Sequence, residues 1–338
     1  MAGTHTIDVT TIARDGTVVL VVGTPPTTKL LVSTTALSDA SEVFAALLGP
    51  NSRNGQKQRS PERPLEISLA DDHADSMADM CRLLHGQCAP KLEGLVSVEK
   101  IYRLAVAVDK YACVQRLRLH GQALLLGYLE MHDRAGHTDL GRAAAAALLF
   151  QHSRAFSNAT KRLVMETTGC FTDFFTKDFA HVIPPAVLLS LTVKRASAQS
   201  EITHNLPRIG MPECDRPDGS ESELTDSEDM MEEDDVKCDN WDAVYVEKIC
   251  NAFGVSYWPP DFRHHTISNA IQNIRDLGTV TRRARTCQHT GAIKEVELSE
   301  FLDVVRRLEK LCEGLCLGCV SEGVLDLSKP CRKRREHA

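Results

Sequence analysis

The run ESELTDSEDMMEEDD, Glu221 to Asp235, carries nine acids and no base, and no packed core can absorb it. With the Pro, Gly and Ser residues around it, it marks 207–238 as a disordered acidic linker. Of the 46 acids in the chain nine lie in this run, which leaves 37 elsewhere against 39 bases. The folded parts are therefore close to neutral although the net charge is -7. That balance argues against direct nucleic-acid binding, apart from the basic stretches TRRAR (Thr281 to Arg285) and CRKRREHA. Ser222, Thr225 and Ser227 sit among acids and suit acid-directed kinases, although a solubilising spacer is the simpler reading.

A chain of 338 residues with 43% apolar content can bury real cores on both sides of such a linker. The start, MAGTHTIDVTT, lacks the basic then apolar pattern of a signal peptide. The longest apolar run, Ala143 to Phe150, is too short to span a bilayer. An intracellular protein is expected, in the nucleus or the cytoplasm, with no membrane partner. In that setting the twelve cysteines are read as reduced thiols, and any specialised ones as metal ligands.

The first part begins with short strands. Asp15-Gly16 is a turn signal between IDVTTIA and TVVLVVG, and Thr24-Pro25-Pro26-Thr27 separates the latter from KLLVS, which predicts paired, mostly buried strands. In LVSTTALSDASEVFAALL, Ser38-Asp39 is expected to cap a helix carrying Val43, Phe44, Leu47 and Leu48 on one side. LEISLADD reads as a further strand ending at a cap. The helix after it places Met77, Met80, Cys81 and Leu84 on one face. A helical hairpin follows, with Ile101, Leu104, Ala105 and Val108 on one stripe and Leu117, Leu124 and Leu125 on the next. Helix formers continue from Leu140 to Leu206, where two prolines, Pro184 and Pro185, open the last helix.

Four motifs in this order, DGTVVLVVG, LLVSTTALSDASEVFAALLG, LEISLADDHADSMADMCRLLHG and IYRLAVAVDKYACVQRL, resemble the BTB/POZ domain in its fungal form, over roughly residues 7–130. The resemblance implies a small sheet flanked by a helical cluster, used for protein association, with a helical extension after it. Members of the animal branch usually carry an Asp at the start of the first core strand and a His opening the first helix. This chain departs from that dimer-pocket pattern with Thr17 and Ser33. If the domain serves as a cullin-ligase adaptor, its contact face is expected around the second and third helices, with Val43, Phe44, Met77 and Leu84 as the candidate contact residues.

Beyond the linker, Cys287 and His289 form Cys-x-His, and Cys316 and Cys319 form Cys-x-x-Cys. Leu298, Phe301, Leu302, Val305 and Leu308 mark a helix of about five turns between them, which can return the second pair to the first. Four N and S ligands on two short turns would satisfy one structural zinc, although neither half is specific alone in a chain with twelve cysteines. The region also resembles the carboxyl-terminal segment of the same fungal proteins. Cys312 is expected on the helix's apolar face rather than at the metal. The basic run Lys329, Arg332, Lys333, Arg334 and Arg335 is a candidate nuclear import signal.

No GxSxG, HExxH, GxxxxGK[ST] or GxGxxG occurs, so no enzyme is expected. Cys81 and His85, one helical turn apart, read as core and rim rather than as a catalytic or metal pair. The sequence thus predicts an α+β, mostly helical protein in four segments. These are a BTB/POZ-like core (1–135), a helical extension (136–206), the acidic linker (207–238) and a helical carboxyl-terminal segment with the zinc site and basic tail (239–338). Its expected work is to bind protein partners, itself or a cullin, as a scaffold or adaptor. The alternative is a nuclear transcription or chromatin regulator that uses the basic segments, whose binding would weaken steeply with salt.

Overall fold

The computed structural model describes residues 9–54, 56–87, 97–209, 243–256, 262–280, 285–286, 293–323 and 331. Along the chain run strands β1 (Val9–Thr11), β2 (Val18–Val22) and β3 (Thr28–Val32), then helices α1 (Thr34–Ala40) and α2 (Glu42–Leu48). Strand β4 (Leu65–Leu69) precedes α3 (Ala74–Leu84), α4 (Val98–Lys110), α5 (Val114–Met131), α6 (His137–Leu149), α7 (Ser153–Glu166) and α8 (Pro185–Asn205). After the linker come α9 (Ala243–Phe253), α10 (Ile267–Val280), the short pair β5 (Arg285–Thr286) and β6 (Ile293–Lys294), α11 (Leu298–Leu311) and α12 (Leu317–Ser321). The protein is α+β and mostly helical, with one small mixed sheet, as the sequence predicts.

The four-stranded sheet has the order β1-β3-β2-β4. Strand β2, VVLVV, lies in its centre, antiparallel to β3 and parallel to β4, and its β-branched residues are almost all buried. The Asp15-Gly16 turn does not close a hairpin between β1 and β2, as the turn signal suggests. Strand β1 instead runs parallel to β3, with Val9 opposite Lys29. The reason is local: the Ile12 and Ala13 amides both donate to the Leu31 carbonyl, so the chain must cross the end of β3 before entering β2. Only glycine fits at this crossing, because a Cβ on Gly16 would lie 2.8 Å from Leu31 Cγ and 2.9 Å from two carbonyl oxygens.

The helix expected to be capped at Ser38-Asp39 starts after Ser41, behind a short first helix. Ser33 caps α1 and Ser41 caps α2, its hydroxyl oxygen accepting from the Phe44 amide, so Ser38 and Asp39 lie inside α1 and cap nothing. Ser41 is buried, and it also donates to the Tyr111 carbonyl. That long-range bond explains why the chain breaks there and not three residues earlier. Similarly α3 is capped by His73, whose Nδ1 accepts from the Ser76 amide, and not by the Asp before it. Asp72 accepts instead from the Tyr111 hydroxyl and from Lys110 Nζ, both at 2.7 Å.

Two helix pairs turn in the same way. At the end of α4, Ala112 takes φ 52 and the Cys113 amide donates back to Val108; at the end of α6, Gln151 takes φ 53 and the His152 amide donates back to Ala147. Neither left-handed residue is Gly or Asn, the usual choices there. Ala112→Gly is therefore expected to raise stability by about 0.5–1 kcal/mol, measured by urea denaturation. A destabilised variant would show that the turn is not left-handed in solution.

His152 opens α7, its Nδ1 accepting from the Ala155 amide. Its pKa is lowered, mainly by burial and also by the positive charges of Arg118 and Arg154. A histidine held neutral in the fold leaves stability intact above its unfolded pKa of about 6.5 and loses it as pH falls below that value, where the unfolded chain takes up the proton first. Denaturation at pH 7.5 and 5.5 should show this loss, and His152→Asn, which keeps a capping acceptor but cannot titrate, should shrink it.

The chain divides into two compact units. The first comprises Met1–Leu163, Phe171–Leu188 and Gly314–Ala338 and the second Val164–Cys170 and Leu189–Glu313. In the first unit α6 packs against α4, and Ala143 to Ala147 of α6 are all buried. In the first unit Phe171, Phe174 and Phe179 pack edge to face, with Gly141 against the Phe174 and Phe179 rings. In the second unit α9, α10 and α11 pack together. There the Tyr245 hydroxyl donates to the Leu206 carbonyl, and Arg195 donates to Gly169 O and Thr167 Oγ1. The linker was expected from Pro207, but Leu206–Arg208 is a 3-10 turn with Leu206, Pro207 and Ile209 buried. The rest of the linker lies outside the described residues.

Candidate metal centre

Within the first unit the cysteine-rich end is held against α7 by two contacts. The Thr160 hydroxyl, buried and donating to the Phe156 carbonyl, accepts a hydrogen bond from the Leu315 amide at 2.9 Å. Next to it Gly314 lies so close to α7 that a Cβ there would sit 1.8 Å from the Ser157 carbonyl oxygen. Leu315 and Leu317 are buried, and Cys316 begins the short helix α12. Nothing in the sequence pattern pointed to Thr160 as an acceptor.

This docking gathers three thiols. The sulfurs of Cys316, Cys319 and Cys331 all lie within 4.8 Å of one another, and all three residues are half-buried. Three thiolates around tetrahedral zinc stand roughly 3.8 Å apart for bonds of about 2.3 Å, so the observed group needs a contraction of about 1 Å or less. The cluster could hold a metal ion. Without one the Cys319 thiol stays protonated: burial first, then hydrogen bonding with Cys331 and Cys316, pushes it up to about 12. A bound cation would reverse that preference, since coordinated thiols are deprotonated.

Of the four ligands expected from sequence, Cys316 and Cys319 belong to this group. Cys287 and His289 lie outside the described residues, in the connection between β5 and β6. Cys331 was overlooked. Its signal was a third cysteine twelve residues beyond a Cys-x-x-Cys, hidden within the basic run KPCRKRR. The helix before the cluster, α11, spans 14 residues, nearer four turns than five, and Cys312 is fully buried at its end, on the apolar side as expected.

The remaining candidates divide between core and surface. Phe44 and Met77, expected as contact residues, are fully buried and belong to the core; Phe44 stacks on Tyr111 with ring centroids 4.5 Å apart. Met77 lies on α3, which packs against α4 and β3. Leu84 is half-buried, whereas Val43 is 39% exposed and remains available to a partner. Thr17 and Thr34 hydrogen-bond to each other at 2.7 Å, and Ser33 is a helix cap that also donates its amide to His85 Nε2. His85 Nδ1 donates in turn to the Cys81 carbonyl, so this histidine is engaged in local structure. Burial pushes the Cys81 and Cys113 thiols up to about 12 and about 11, which keeps both as protonated core residues. Lys329, Arg332, Lys333, Arg334 and Arg335 lie outside the described residues. Among the described residues no helix is long and apolar enough to cross a membrane.

No protein-family model matches this chain, and no curated protein is significantly similar to it in sequence.

Proposed function

We propose that the chain is a non-enzymatic protein-association module of the fungal BTB/POZ type, acting as a scaffold or adaptor that binds itself or a cullin. The observation that carries this reading is the order of elements under the four motifs. The β2–β3 hairpin, the α1–α2 pair, β4 returning parallel beside β2, then α3 and the α4–α5 hairpin form a small sheet flanked by a helical cluster. One structural zinc belongs to the same reading, because a set of soft thiolates suits zinc better than magnesium or calcium.

Light scattering of the purified full chain over a hundredfold range of concentration tests self-association, and retention of a purified cullin on the tagged chain tests the adaptor role. Either interaction should persist at high salt if it is made through an apolar face around Val43. A chain that stays monomeric throughout and retains no cullin would remove the reading. Binding to DNA that falls steeply with salt would favour the nuclear regulator instead.

A further inference from the structure

We infer that Cys331 is the third protein ligand of a zinc site made with Cys316 and Cys319. This rests on the zinc reading above and names the site's ligands. The geometry comes from three observations. The three sulfurs already stand within 4.8 Å of one another, although Cys331 is twelve residues beyond Cys319. The platform under Cys316 and Cys319 is fixed, by the Leu315 amide on Thr160 and by the close seat of Gly314 on Ser157. And all three cysteines are half-buried, a soft, thiolate-rich set of the kind zinc takes.

Binding is a proton-for-metal exchange: one zinc ion takes three thiolates, and the three thiol protons leave to solvent. Closing the site makes a loop of the chain from Cys319 to Cys331.

The test uses the full chain, purified with zinc present and then gel-filtered, alongside Cys331→Ser and Cys170→Ser as a control for a cysteine outside the cluster. Zinc is measured per chain, and the cobalt-substituted proteins are compared by their thiolate-to-metal charge-transfer absorption. The expected result is about one zinc per chain in the wild type and the control, with most of it lost from Cys331→Ser and the cobalt absorption weakened there. Zinc and cobalt absorption retained in full by Cys331→Ser would overturn the ligand assignment while leaving the zinc reading intact. A wild type without zinc would overturn the zinc reading itself and the inference with it.

Discussion

Gly314→Ala is expected to lower the melting temperature by about 6–12 °C and to expose the carboxyl-terminal segment to proteolysis. An added Cβ would stand 1.8 Å from the Ser157 carbonyl oxygen and 2.6 Å from its carbonyl carbon, and both are backbone atoms inside α7 that cannot swing away. The segment must lift instead. Lifting breaks the Leu315 bond to Thr160, which is buried and so costs about 1–3 kcal/mol. It also returns part of Leu315 and Leu317 to water, at about 1.5–3 kcal/mol for each side chain fully exposed. Partial relaxation brings the total to about 3 kcal/mol, and at about 2–4 °C per kcal/mol for a unit of this size the shift follows. Thr160→Val separates the two contributions: it keeps the side-chain shape and removes the acceptor, so it should cost about 1–3 kcal/mol without steric overlap. A Gly314→Ala protein that melts like wild type would mean that the cysteine-bearing segment is not seated on α7.

Phe44→Ala is expected to cost about 3–5 kcal/mol, with Val43→Ala beside it within about 0.5 kcal/mol of wild type. The two residues are adjacent on α2 and were equal candidates for a contact face. Phe44 is fully buried and lies flat on Tyr111, with an interplanar angle of 4°, so truncation removes a large buried area and an aromatic stack. The loss also strikes a junction, because Tyr111 receives the Ser41 hydroxyl at its carbonyl and donates its own hydroxyl to Asp72. Val43 loses little by truncation, since much of it already faces solvent. Chemical denaturation of both variants decides the matter, and self-association measured on the same samples shows whether Val43 contributes to an interface. Equal stabilities would place Phe44 at the surface and restore it as a contact residue.

Much of the architecture could be read from the chain because it follows from short-range chemistry. The VVLVV run could be nothing other than an inner strand, and the 3.6-residue spacing of Ile101, Leu104, Ala105 and Val108 marks a face that is buried throughout. Two of the three clustered cysteines were legible on the same terms, since Cys-x-x-Cys is a local pattern. Where the reading missed, the deciding partner was far away in sequence. Ser41, and not Ser38 or Asp39, starts α2 because Tyr111, seventy residues on, accepts its proton. Strand β1 chose β3 over its nearer neighbour because the chain crosses the end of β3 at Gly16.

The sequence by itself thus determined which segments are strands and helices, where the acidic break falls, and that a pair of cysteines near the carboxyl end stands ready for a metal. Periodicity, capping chemistry and charge density act within a few residues, so they are written along the chain. Tertiary structure alone decided which strand β1 joins, which side of α2 is core, and that Cys331 closes the thiol group. Each of these depends on what lies across from a residue in space: a carbonyl on a neighbouring strand, an aromatic ring from α4's end, a sulfur twelve residues away. A pattern of residue types cannot record that, because many distant partners are chemically equivalent until packing brings one of them within a few ångströms.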